Sequence, residues 1–66
     1  MDETIKIWLK RLYKKEIAEI EGTIENERLW ELGYNGKAPN PHTYNIVVLN
    51  EYIEILKERI NELNQL

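Results

Sequence analysis

Few side chains in this 66-residue chain suit nucleophilic or acid–base chemistry. It has no cysteine and no serine, a single histidine (His42) and a single aspartate (Asp2). Covalent catalysis needs an activated nucleophile, and proton transfer needs a poised acid or base. No Ser-His-Asp or Cys-His arrangement can be built from one such chain. We therefore predict that the protein is not an enzyme and has no catalytic residues.

Carboxylates and His42 are the only plausible metal ligands. Bundles that hold two iron or manganese ions use Glu-x-x-His pairs, and this chain has none. His42 follows Pro41 at the start of a predicted helix, where we expect it to be exposed to solvent without a second zinc ligand nearby. We predict no metal site and no cofactor.

Glu16, Glu27 and Glu31 project toward the apolar side of the first predicted helix. We expect them to lie at the edge of that side, where their carboxylates extend to solvent or pair with Arg28 or Arg59. The alternative is a docking site for a basic or polar partner surface.

Basic side chains are concentrated in residues 1–15, which carry five basic and two acidic groups. The candidate anion contacts are Lys6, Lys10, Arg11, Lys14 and Lys15. They alternate with Trp8 and Tyr13, as in helices that bind nucleic acid or an anionic membrane surface. The net charge of −3 opposes this reading. We expect instead a solvated face that pairs with Glu54, Glu58 and Glu62, and we keep nucleic-acid or membrane binding as the alternative.

One stretch rich in glycine, proline and asparagine, residues 33–41, separates two helical patterns. The sequence predicts helix 1 over about 3–32, a loop over 33–40 and helix 2 over about 41–65. Gly33 suits a left-handed Schellman cap, with Tyr34 packing on Leu29. Asn40 suits an N-cap, with Pro41 in the first helical position. A short loop between long helices implies an antiparallel, all-α hairpin.

Helix 2 carries a heptad pattern typical of a coiled-coil seam. Its isoleucines and leucines recur every seven residues, at Ile46, Ile53 and Ile60 and at Leu49, Leu56 and Leu63. Helix 1 has a less regular stripe that ends at Ile24. A second stripe beside the helix 2 seam exceeds what one partner helix covers, which predicts a homodimeric four-helix bundle. The candidate protein interface is Val48, Tyr52, Ile55, Arg59, Trp8 and Trp30.

The loop region has an unusual content of tyrosine, asparagine and proline. Its candidate binding contacts are Tyr34, Asn35, Asn40, His42 and Tyr44. Loops carry binding residues more often than the helices that hold them. The alternative is a turn that these residues merely make compact.

Composition completes the hypothesis about function. Apolar residues are 42% and charged residues 32% of the chain, no apolar run approaches about 18 residues, and the start is acidic. We therefore expect a soluble cytoplasmic protein. Its richness in Asn, Ile, Lys and Glu suggests a low-GC bacterium or a bacteriophage. We hypothesise a small regulator or inhibitor that pairs with itself and binds an unidentified protein.

Overall fold

The computed structural model describes all 66 residues, as two helices lying side by side. Helix α1 spans Glu3–Leu32 and α2 spans Pro41–Asn64, so α2 ends one residue before its predicted end. The helices run in opposite directions: Lys6 near the start of α1 contacts Leu66, which follows the end of α2. The predicted all-α hairpin is confirmed, with overall dimensions of 51 × 15 × 9 Å. Neither helix combines the length and the hydropathy that a membrane-crossing helix needs.

Both helices begin at a side-chain cap. The Asp2 carboxylate accepts from the backbone N–H groups of Thr4, at 2.7 Å, and Ile5, at 3.4 Å. Asn40 caps α2 as predicted, since its Oδ1 accepts from the backbone N–H of His42 at 3.0 Å. These bonds satisfy backbone donors that have no partner inside the helix.

The end of α1 differs from the prediction. Gly33 has φ −89° and ψ 1°, so it is not in the left-handed conformation of a Schellman cap. Instead, the side chain of Asn40 reaches back and donates from Nδ2 to the backbone oxygen of Glu31 at 3.1 Å. The Schellman prediction was wrong, because Gly33 has a negative φ and Asn40, the last residue of the loop, supplies a capping bond. Asn40 therefore caps the end of one helix and the start of the next.

The core between the helices is small and follows the predicted heptads. The buried apolar side chains are Ile24, Ile53, Leu56 and Leu63. Ile46, Leu49 and Ile60 are half-buried beside them, as are Leu9, Tyr13, Ile17 and Ile20 of α1. Leu56 is the most enclosed, with 1% of its surface exposed. Burying these groups supplies about 1.5–3 kcal/mol for each large side chain.

Ion pairs between basic and acidic faces do not hold the helices together. Lys57 lies 3.6 Å from Glu54 and Lys6 lies 3.8 Å from Glu3, each within one helix. The predicted pairing of the basic start of α1 with Glu54, Glu58 and Glu62 is therefore absent. Glu54, Glu58 and Glu62 are exposed to solvent, where attraction between charged side chains is weak in any case.

Candidate binding surfaces

A histidine–carboxylate pair joins the two helices beside the loop. Nδ1 of His42 lies 2.6 Å from Oε2 of Glu27, with about a quarter of the histidine side chain exposed. Nδ2 of Asn45 donates to the same carboxylate oxygen at 3.3 Å. An ionised carboxylate only accepts, so Nδ1 of His42 carries the proton in this bond. The prediction of a solvent-facing His42 was wrong, because Glu27 lies directly across the seam.

The electrostatics of this pair favour an ionised Glu27. The hydrogen bond from His42 lowers the pKa of Glu27 below its ordinary value of 4.5, and the bond from Asn45 acts in the same direction. Hydrogen bonds that are made to the charged form stabilise it over the neutral acid. Glu27 is therefore ionised at neutral pH. Its partners are His42 and Asn45 rather than Arg28 or Arg59.

Two aromatic rings enclose His42. The Trp30 ring stacks on it with centroids 6.2 Å apart and planes 23° apart. Tyr34 approaches edge-on, at 6.0 Å and 75°, and does so in place of the predicted packing on Leu29, which is exposed. The Tyr34 hydroxyl donates to the backbone oxygen of Lys37 at 3.0 Å.

Gly36 allows the tyrosine ring to cross the loop. A Cβ atom at this position would collide with the Tyr34 phenol. The glycine is needed here for close approach, since no glycine in the chain has a positive φ. The peptide bond between Ala38 and Pro39 in the same loop is cis.

A second polar contact closes the loop end of the hairpin. The Thr43 hydroxyl donates to Oε2 of Glu31 at 2.5 Å, beside the bond from Asn40 to the Glu31 backbone. We call this polar and aromatic cluster the tip. Its members are Glu27, Trp30, Glu31, Tyr34, Asn40, His42, Thr43 and Asn45.

The third inward carboxylate lies midway along the hairpin. Glu16 accepts from the Tyr52 hydroxyl at 2.5 Å, and this bond raises the pKa of Tyr52 above its ordinary value of 10.0. Partial burial and the negative charge of Glu16 raise it further. Glu16 therefore pairs with the Tyr52 hydroxyl of α2 and not with an arginine.

At the end of the hairpin far from the tip, apolar side chains are exposed along one side. Lys6 is buried against α2, so Ile5 and Ile7 emerge on opposite flanks of α1. A shallow groove on the Ile5 side is lined by Met1, Leu9, Tyr13, Arg59, Glu62, Leu63 and Leu66. A neighbouring groove is lined by Leu9, Leu12, Tyr13, Lys15, Glu16 and Glu19. Because Glu16 binds Tyr52, both grooves belong to one side of the hairpin.

We call this surface the apolar face. Its members on or just before α1 are Met1, Ile5, Trp8 and Leu12, and those on or just after α2 are Val48, Tyr52, Ile55 and Leu66. Successive members are three, four or, from Ile55 to Leu66, eleven residues apart, all of which return to the same side of a helix, and each is between 42% and 69% exposed. No protein-family model, curated protein or solved structure matches this chain. The surfaces must therefore be interpreted from their own chemistry.

The predicted interface residues divide between the two surfaces. Val48, Tyr52, Ile55, Arg59 and Trp8 lie on or beside the apolar face. Trp30 lies at the tip, about 33 Å along α1 from Trp8 at 1.5 Å per residue. The sequence pattern grouped the two tryptophans because it indicates the side of a helix on which a residue lies. It does not indicate that two such residues are close together.

The basic residues differ in their exposure. Lys6 is buried and donates from Nζ to the backbone oxygen of Leu66 at 3.0 Å, so it anchors the end of α2. Lys10 is half-buried, while Arg11, Lys14 and Lys15 are exposed. Arg11 is three residues from Lys14 and four from Lys15, so these three lie together on the solvent-facing side of α1, away from the seam.

The predicted loop contacts have different surroundings. Tyr34, Asn40 and His42 are half-buried within the tip, whereas Asn35 and Tyr44 are exposed. Sequence reasoning missed the capping role of Asp2 and the double role of Asn40. The Asp2-Glu3-Thr4 start signals the first, since a lone aspartate before a helical pattern is typical of an N-cap.

Proposed function

We propose that this chain is a non-enzymatic protein-interaction module that pairs with a second copy through its apolar face. Pairing would form a four-helix bundle and leave the tip free to bind a further protein. The observation that carries the proposal is the exposure of eight large apolar side chains on one side of a hairpin with only four buried ones.

Surface area supports a second copy as the occupant of the apolar face. A compact protein of 7.9 kDa has about 4,400 Å² of accessible surface. The hairpin has 5323 Å², which is an excess of about 900 Å². A stable interface of standard size buries about 800 Å² on each partner. One partner of this size would bring the chain to the exposure expected for a compact protein.

The tip has the properties of a contact surface for a different protein. Its side chains are held by hydrogen bonds across the seam, so a partner would meet a pre-organised surface at a lower entropy cost. Trp30 is 61% exposed and stacks on His42, which is bonded to the Glu27 carboxylate. This combination suits a partner segment that bears arginine or lysine, through stacking and charge.

Anion binding through residues 6–15 has less support. Lys6 donates a hydrogen bond to Leu66 and is not free to contact a phosphate. The net charge of −3 also opposes general affinity for nucleic acid or an anionic membrane.

Light scattering after size exclusion tests the pairing over a range of concentrations. We expect a mass near twice 7.9 kDa. Trp8→Glu and Ile55→Glu should each give a helical monomer, because a buried, unpaired carboxylate opposes association. Ile7→Glu is the matched control, since Ile7 is 47% exposed on the opposite flank of α1.

Two outcomes would overturn the proposal. The first is a mass of 7.9 kDa for the unaltered chain at every concentration. The second is a dimer that survives both substitutions in the apolar face while circular dichroism shows intact helices.

A further inference from the structure

We infer that the two copies are related by a twofold axis parallel to the helices, so that α1 of each packs on α2 of the other and both tips lie at the same end. This inference rests on the pairing proposed above and specifies its geometry. The rival arrangement has its twofold axis across the helices, with α1 on α1, α2 on α2 and the tips at opposite ends.

Charge distribution favours the axis along the helices. Residues 1–15 carry five basic and two acidic side chains, for a net charge of +3, and residues 51–66 carry four Glu against Lys57 and Arg59, for −2. With the axis along the helices, the positive segment of each copy faces the negative segment of the other. With the axis across them, each segment faces its own copy and like charges oppose one another.

The position of the apolar face along the hairpin favours the same arrangement. The first-helix members of the apolar face, from Met1 to Leu12, are centred near residue 7. The contacts from Lys6 to Leu66 and from Glu16 to Tyr52 place this residue at the same height along the hairpin as about residue 62 of α2. An axis across the helices at this level would bring the last residue of the second copy, Leu66, only to about residue 58 of the first. Val48, Tyr52 and Ile55 would then stay uncovered. With an axis along the helices, each residue of one copy faces residues at the same height in the other copy. The apolar face is then covered over its whole length.

The consequence is a paired binding surface. Two tips would stand side by side, each with its Trp30 ring stacked on His42. A target with two copies of the recognised segment would bind both tips, and the second contact would benefit from high effective concentration.

A distance measurement between the tips tests the geometry. The chain has no cysteine, so Lys37→Cys gives one labelling site per copy, on an exposed loop residue whose side chain has no hydrogen bond. Double electron–electron resonance should give a distance of roughly 20–30 Å between spin labels, from helix spacings of about 10 Å and the label linkers. A distance greater than the 51 Å length of one hairpin would overturn the inference.

The result separates this inference from the pairing itself. A dimeric mass with widely separated labels would contradict only the geometry. A monomeric mass with no dipolar signal would contradict the pairing, and the geometry with it. A label at Glu21→Cys, midway along α1, checks that spin labelling leaves the mass of the unlabelled protein unchanged.

Salt dependence provides an independent test on the unaltered chain. With opposite charges facing across the interface, raising NaCl from about 20 to 500 mM should increase the dimer dissociation constant severalfold, because the Debye length falls below 10 Å. A dissociation constant that is unchanged or falls over this range would contradict the charge argument, since like-charge repulsion is relieved by salt.

Discussion

The two ends of the hairpin are held together by different physical means. At the tip, hydrogen bonds cross the seam: Glu27 with His42, Glu31 with Thr43, and Asn40 with the α1 backbone. Toward the other end, Leu56 and Leu63 are buried in an aliphatic seam, and more apolar side chains remain outside it. Aliphatic contacts contribute most of the free energy but tolerate sliding, whereas hydrogen bonds require one geometry.

This difference indicates a division of roles along the molecule. The polar tip fixes which residues of α1 and α2 face each other, because each donor has one acceptor at hydrogen-bond distance. The aliphatic end supplies burial, and its surplus is available to a second copy.

Removing the most enclosed leucine should have the largest effect on the fold. Leu56→Ala leaves a cavity at the centre of the seam and should lower the free energy of unfolding by about 2–5 kcal/mol. Urea unfolding followed by circular dichroism at 222 nm measures this loss at fixed protein concentration. Leu32→Ala is the control, because Leu32 is 84% exposed and should change stability by less than about 0.5 kcal/mol. Equal losses in the two variants would contradict the aliphatic role assigned to the seam.

Asn40 tests whether the tip depends on the double cap. Asn40→Ala removes the bonds to His42 and to Glu31 and should cost about 1–2 kcal/mol. Asn40→Asp keeps the acceptor for the His42 N–H and loses only the donor to Glu31, so its cost should be smaller. Comparing urea midpoints separates the two bonds. A loss in Asn40→Asp as large as that in Asn40→Ala would mean that the N-cap contributes nothing.

Acid should weaken the tip through Glu27. Its pKa is lowered in the folded chain, so its contribution is fully present above the ordinary value of 4.5 and is lost as pH falls through the lower folded value. Glu27→Gln should therefore lose less stability than the unaltered chain between about pH 5 and 3. Urea midpoints across this range measure the difference. Glu21→Gln, at an exposed position on the same helix, should follow the unaltered chain.

Alkali should have the smallest effect, through the Tyr52 bond midway along the hairpin. The pKa of Tyr52 is raised, so its contribution is present below pH 10.0 and is lost as pH rises through the higher folded value. Tyr52→Phe should lack this loss, whereas Tyr44→Phe, at an exposed position, should retain it. An identical alkaline profile in all three proteins would show that the bond to Glu16 does not contribute to stability.

Local sequence signals predicted the elements better than they predicted the contacts. The break at residues 33–41, the Asn40-Pro41 start and the heptads of helix 2 each act over a few residues, and all three appear in the structure. The surroundings of His42 could not be read in this way. Its partners Glu27 and Trp30 are 15 and 12 residues away in sequence, and only the pairing of the two helices brings them near.

Two helices with an apolar seam follow from the amino-acid sequence, because helix periodicity and caps depend on residues within one or two turns. The partners of the charged and polar side chains depend on how the two helices pack. Lys6 became a buried anchor for Leu66, and three inward carboxylates took histidine, threonine and tyrosine as partners instead of arginine. The physical reason is reach across the seam: a hydrogen bond forms with whichever donor the opposite helix places within about 3 Å, and the relative register of the helices sets that choice.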